Sequence, residues 1–199
     1  MSQPAADGST PTPMLPEGGV LGPISIENLW NGRPGTARER VLVALRDAGD
    51  ALRVTVDASF HGDPAPAAEV GPTPGLWEHE VVELFIAGAD ARYLEVEVGP
   101  YGHHLALALD GVRRVVDQAM PLRCRTVITR GLWSADLWIP RAWLPPGPHR
   151  LNACAIHGVK KAHPTVGDGR RYLSWQPLPG AAPDFHQPHR FAPVVLPGA

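Results

Sequence analysis

The chain has 199 residues, 44% of them hydrophobic, and a formal net charge of −2. That suffices for one buried core without staples, and it excludes both a disordered chain and the basic footprint of a nucleic-acid partner. No apolar run approaches the length of a transmembrane helix, so no membrane partner is expected.

The first residues, Met1 to Met14, are rich in Pro, Ser and Thr, with neither a basic head nor an apolar segment. They do not read as a secretory signal, so the expected location is cytoplasmic. Cys124 and Cys154 are then expected as free thiols acting as small apolar groups. Residues 1–22 lack periodicity and are expected to be a flexible tail, leaving 23–199 as one domain. The 23 Pro and 21 Gly leave little room for long helices. Frequent punctuation of this kind favours short strands joined by turns, an all-β fold.

Ile24 to Leu29 alternates apolar and polar residues and predicts a first strand. Arg40 to Arg46 is compatible with helix or strand. The turn Asp47-Ala48-Gly49-Asp50 and the alternating Leu52, Val54 and Val56 behind it decide for a hairpin. A Pro-rich loop then runs to Gly75, long enough to rim a site or form a lid. Leu76 to Ala87, Arg92 to Val98 and His103 to Leu109 read as three strands in succession. Leu122 to Thr129 and Leu132 to Ile139 form a further pair, and Pro140 to Leu144 is expected as one helical turn. Leu151 to His157, Arg171 to Gln176 and Phe191 to Leu196 complete the strands. Trp133, Trp138 and Trp143 are expected mainly as core filling.

The chemistry concentrates between Leu76 and Leu109. Strand alternation puts Val82, Leu84 and Ile86 on one face and Trp77, His79, Val81, Glu83 and Phe85 on the other. In the next strand Leu94, Val96 and Val98 oppose Tyr93, Glu95 and Glu97. Paired, the two strands present an apolar core face and an acidic row flanked by Trp77, Tyr93 and Tyr101. Aromatic rings stack on the C–H faces of a sugar, and carboxylates accept hydrogen bonds from its hydroxyls. Glu95 and Glu97 also fit the ordinary solvent face of a half-buried sheet. Glu83, set among Val, Leu, Phe and Ile, needs a partner or a polar cleft.

The run Leu76-Trp77-Glu78-His79-Glu80-Val81-Val82-Glu83-Leu84-Phe85, followed by Tyr93-Leu94-Glu95-Val96, resembles the central signature of family 9 carbohydrate-binding modules and their DOMON-like relatives. The match is closer to an uncharacterised branch of small stand-alone proteins. Those share a Pro-X-Gly-X-His turn (Pro100 to His103 here), an Ala-Ile-His-Gly strand end (Ala155 to Gly158) and a Pro-Asp-Phe-His segment (Pro183 to His186). The likeness spans Ile24 to Leu196. It implies an antiparallel β-sandwich with a sugar site near one end. It also implies that Trp77 and Glu83 contact ligand and that Trp175 supplies a second stacking ring. Tyr172 stands where those modules carry an amide, which leaves the sugar preference open.

The ligand-binding set is therefore Trp77, Glu83, Glu95, His103, Arg171 and Trp175, in a non-catalytic binder of a carbohydrate or similar polyhydroxylated molecule. The alternatives are a glycoside hydrolase using Glu83, paired with Glu95 or Asp184, and a protein-interaction domain whose cleft has no ligand. Nine histidines include His79, His103, His104, His157 and His186, but no compact metal motif, so no metal is expected. Haem, a ligand of other DOMON-like domains, is held there by Met, His or Lys, and Met120 is the one methionine in the domain apart from the tail. No cofactor is expected. Lys160, Lys161, Arg170 and Arg171 flank a polar loop and read as a solvated surface.

Overall fold

A computed structural model describes residues 22–118, 120–159 and 169–198. Nearly all of the expected tail, and Lys160 and Lys161, lie outside the described residues. The strands in chain order are β1 (Ile24–Ile26), β2 (Asn28–Leu29), β3 (Val41–Asp47), β4 (Ala51–Ser59), β5 (Val81–Ala87), β6 (Arg92–Val98) and β7 (His104–Asp110). They continue as β8 (Val115–Asp117), β9 (Arg123–Thr129), β10 (Leu132–Pro140), β11 (His149–His157), β12 (Arg171–Ser174) and β13 (Ala192–Val194). Among the described residues the helical elements are single 3-10 turns. The fold is an all-β antiparallel sandwich.

One sheet has five strands in the order β1-β3-β4-β10-β9; the other has eight, ordered β2-β12-β11-β5-β6-β7-β8 with β13 also on β11. Alternation sends Val43, Val54, Val56, Leu137 and Ile139 inward from the smaller sheet. Val82, Leu84, Ile86, Leu94 and Val96 meet them from the larger one. This layer is the main core, held by apolar burial at roughly 25 cal/mol per Å².

The larger sheet is unusual in being covered on its outer face as well. A second apolar cluster there joins Val81, Phe85, Tyr93, Leu105, Leu107, Leu109 and Ile156 to Leu178, Phe185 and Phe191 from the C-terminal segment. Every residue of β5 is consequently buried, which is why Val81 to Ala87 reads as a nearly continuous apolar run rather than an alternating one.

Residues 176–191 form an irregular strap over that face, and its polar backbone is pinned at defined points. Buried Asn152 on β11 accepts the Gln176 backbone N–H through Oδ1 at 2.9 Å and donates from Nδ2 to the Gln176 carbonyl at 3.3 Å and to Ser174 Oγ at 3.1 Å. Arg150 donates to the Phe191 carbonyl at 3.0 Å. Leu178 N–H donates to the Trp30 carbonyl at 2.7 Å.

Several boundaries differ from the sequence reading, two of them by more than a few residues' fraying at a strand end. Leu76–Glu78 is a 3-10 turn, and the strand starts only at Val81. Gly75, at φ 81°, reverses the chain just before it. The first predicted strand is split at Glu27, so that β1 joins one sheet and β2 the other. Trp133 is core, whereas Trp138 lies on the outer face, with the Arg123 guanidinium 4.2 Å from its ring centre.

Asn152→Ala is expected to take from the Gln176 amide its acceptor and leave the Gln176 carbonyl to the Ser174 hydroxyl alone. The cost is about 2 kcal/mol in urea unfolding, with faster proteolytic cleavage within residues 176–191 than in the sandwich strands.

Candidate functional site

A cavity of about 380 Å³ opens between the strap and the outer face of the eight-stranded sheet. Its floor comes from β5, β6, β7 and β11 through Glu83, Glu95, Leu107, Leu109 and Ile156. Its walls are Trp77 from the 3-10 turn, Tyr172 from β12, Arg113 and Val115 from the β7–β8 region, and Pro183 to His186 from the strap.

The acidic row survives from sequence to structure, but its environment does not match a solvent face. Glu83 is 2%, Glu95 3% and Glu97 0% exposed. Glu83 pairs across the ladder with Glu97, and Phe85 with Glu95, so the carboxyls are near neighbours on one face. Reading Glu95 and Glu97 as ordinary solvated sheet surface is therefore corrected: the strap dehydrates the face. Burial pushes Glu83 and Glu97 well above the usual carboxylate range; repulsion from Glu95 adds to both, and repulsion from Glu83 adds to Glu97. Burial raises Glu95 to about 7. Arg170 pulls Glu83 down and Arg113 pulls Glu95 down, without offsetting the dehydration. Both Glu97 oxygens and Oε2 of Glu95 lack a hydrogen bond of normal geometry, and the Trp77 backbone amide lowers Glu97 only slightly.

The walls are built by tethers between distant segments. Arg113 has φ 59°, a left-handed conformation costly for a residue with a Cβ. In it, the Arg113 backbone N–H donates to the Tyr93 hydroxyl at 2.9 Å, while its guanidinium donates to Asp184 Oδ1 at 2.9 Å. That same Asp184 oxygen accepts the His186 backbone N–H at 3.0 Å. The Tyr93 hydroxyl lies 2.8 Å from His186 Nδ1. Burial and the Arg113 charge hold His186 down at about 4, so the ring is neutral at physiological pH. Its Nδ1 stands 3.9 Å from Glu95 Oε2, too far for a hydrogen bond. Arg170 steadies the turn that carries Trp77, donating to the His79 carbonyl at 2.9 Å and approaching the Glu78 carboxylate at 3.7 Å. Trp77 itself is 43% exposed at the cavity mouth.

Of the sequence-derived set, Trp77, Glu83 and Glu95 line this cavity, and His103, Arg171 and Trp175 do not. Trp175 packs against the inter-sheet core. Alternation explains the swap, since Tyr172 and Trp175 differ by an odd number of positions and the cavity-facing ring is Tyr172. Arg171 grips Glu39 with two hydrogen bonds, at 2.6 and 3.0 Å, and holds that carboxylate down at about 2. His103 is buried, with Nε2 3.1 Å from the Ala68 carbonyl. It fixes the Pro-rich loop together with Glu80, which accepts the His61 and Gly62 N–H groups at 3.0 and 3.1 Å. That loop is therefore anchored to the sheet and contributes nothing to the cavity. The sugar site was expected near one end of the sandwich; this cavity lies on the outer face of a sheet.

The histidines do not converge. His186 is at the cavity, His104 is 3.1 Å from the Gly102 carbonyl, and His157 stacks on His61 with ring centres 3.6 Å apart. Among the described residues no group of three or more His, Cys, Asp or Glu has a metal-holding arrangement. Arg113, Leu107 and Leu109 were not singled out from sequence, and Phe185 appeared only within the Pro-Asp-Phe-His motif. The Asp110-Gly111 turn before Arg113 was the one local signal available.

Solved structures with this architecture define the class. A candidate carbohydrate-binding protein from Bacteroides uniformis superposes with a TM-score of 0.62 at 18% identity, covering 85% of this chain and 83% of that one. A family 9 carbohydrate-binding module from Caldicellulosiruptor kristjanssonii, in complex with cellotriose, gives 0.57 at 11% identity over 89% and 83%. The fold is thus the β-sandwich of family 9 modules. No family model matches the chain. In sequence it is 37% identical over 180 residues to the UPF0462 protein C4orf33 homolog of Danio rerio, covering 86% of this chain and 87% of the relative. The human UPF0462 protein C4orf33 is 36% identical over 172 residues, 82% of each. The chain belongs to the UPF0462 family.

Two outcomes test this geometry. In Glu95→Gln the wild-type loss of stability with rising pH should shrink. A carboxyl whose folded pKa is raised from 4.5 to about 7 stabilises most below 4.5 and loses that contribution as pH rises through 7. Urea melts between about pH 4.5 and 7.5 should show the variant gaining on wild type by up to roughly 3 kcal/mol. Arg171→Met should leave Glu39 without its guanidinium partner, with His157 and the Thr36 N–H still beside it, and cost about 2 kcal/mol, with any ligand affinity unchanged.

Proposed function

We propose that the domain is a non-catalytic binder of a carbohydrate or similar polyhydroxylated small molecule, with Trp77 and Tyr172 stacking on the ligand and Glu83 and Glu95 hydrogen-bonding its hydroxyls. One observation carries this reading: aromatic rings and buried carboxyls line the same cavity of about 380 Å³. That volume suits a small ligand, at the lower end of the range of roughly 300–1,000 Å³ for such sites. A carboxyl kept protonated by burial both donates and accepts hydrogen bonds, which matches a hydroxyl's own dual character. The likeness of fold to a module holding cellotriose supports the ligand class. Free thiols at Cys124 and Cys154 agree with a cytoplasmic setting. No helix of the described residues is long and apolar enough to cross a membrane.

The hydrolase reading keeps one supporting observation, the presence of Glu83, Glu95 and Asp184 around one cavity. Glycosidases need one ionised carboxylate beside a protonated acid, and here burial raises both Glu83 and Glu95. Binding is therefore the better supported role.

Calorimetry against mono- and oligosaccharides should give saturable heat with the wild type. Trp77→Ala should weaken binding by about tenfold, as expected for loss of a stacking ring worth ~1 kcal/mol or more. An array that yields no heat sinks the proposal. Release of reducing sugar that Glu83→Gln abolishes would establish the hydrolase instead.

A further inference from the structure

Resting on the sugar-binding reading, we infer that the cavity prefers a ligand carrying a primary amine, an amino sugar in its ammonium form, with the ammonium seated against the unpartnered Oε2 of Glu95.

The charge layout argues for a cation. Glu83, Glu95 and Asp184 line the cavity, and Glu97 lies directly across the ladder from Glu83. The neighbouring guanidiniums are engaged elsewhere: Arg113 on Asp184 at 2.9 Å, Arg170 on the His79 carbonyl at 2.9 Å and near the Glu78 carboxylate at 3.7 Å. His186 does not serve Glu95 either, because its Nδ1 faces the Tyr93 hydroxyl at 2.8 Å and stands 3.9 Å from Oε2. Glu95 thus lines the cavity while its buried Oε2 receives no hydrogen bond from the protein. A buried, unsatisfied polar atom destabilises the site, and a ligand that supplies the missing donor removes that penalty. An ammonium supplies three N–H donors and a charge.

The walls point the same way. Trp77, Tyr172 and Phe185 lie around the acids, and aromatic faces attract cations through their quadrupoles. A neutral hydroxyl gains nothing from that field. Proton balance is straightforward. The ammonium enters with one positive charge, the protonated carboxyl releases one proton to solvent, and the cavity gains no net charge.

Calorimetry at about pH 6 should compare glucosamine, galactosamine and mannosamine with glucose, galactose and mannose and with the N-acetylated amines. One amine is expected to bind about tenfold or more tightly than both its parent and its N-acetyl form. Its heat should vary with the ionisation enthalpy of the buffer, reporting proton release. Glu95→Gln should weaken the amine about tenfold more than it weakens the parent, so that the preference between them disappears. If that variant does not fold, the N-acetyl comparison on the wild type carries the same test from the ligand side. A parent sugar binding as well as its amine, or amine binding without proton release, overturns the ammonium inference and leaves the sugar reading standing. Silence from every sugar removes both.

Discussion

The structure turns on the dehydration of one sheet face by a strap with almost no regular secondary structure. In a simple sandwich the outer face of a sheet meets water, and glutamates at alternate positions cost nothing. Here Leu178, Phe185 and Phe191 close over β5, β6 and β7 and turn that face into a second apolar layer. Three glutamates are trapped beneath. Their upward pKa shifts, the neutrality of His186 and the existence of a cavity all follow from that closure. Lifting the strap would restore water to the acids and return them to ordinary carboxylates.

Stability and site are consequently in tension. Glu83 and Glu97 face each other across the ladder in a layer where Leu or Val would pack without any desolvation cost. The sandwich needs none of these acids, because its main core lies on the other side of the same strands. The polar floor is thus an addition to a fold already secured elsewhere. Tethers compensate locally: Asn152 holds the start of the strap, Arg150 its end, and the Tyr93–Arg113–Asp184–His186 network its middle.

Much of the fold was legible in the sequence because alternation and turns are local signals. Arg40 to Val56 announced a hairpin, and Leu94-Val96-Val98 announced an inward face. Trp77, Glu83 and Glu95 were legible as companions because they share a face or its continuation. The rest depended on contacts between distant segments. An alternating acidic row looks the same whether water or a strap lies over it, so the burial of Glu95 and Glu97 was invisible. The position of Trp175 depended on where β12 begins its alternation, and a shift by one residue exchanges Trp175 for Tyr172. His103 and Arg171 carry side chains suited to ligands, yet their partners, Ala68 and Glu39, lie far along the chain.

The Tyr93–His186 contact joins residues 93 positions apart in sequence. During synthesis the strands bearing the acids emerge from the ribosome long before the segment that covers them. Most of the inter-sheet core precedes the strap in the chain, Leu196 being the exception among its buried residues. Those strands can therefore pair while the acidic face is still wet and Glu83, Glu95 and Glu97 ionised. Ligand competence then arrives last, as the strap closes and the charges are discharged. The same residues would serve the nascent chain as solubilising anions and the finished domain as neutral hydrogen-bonding acids.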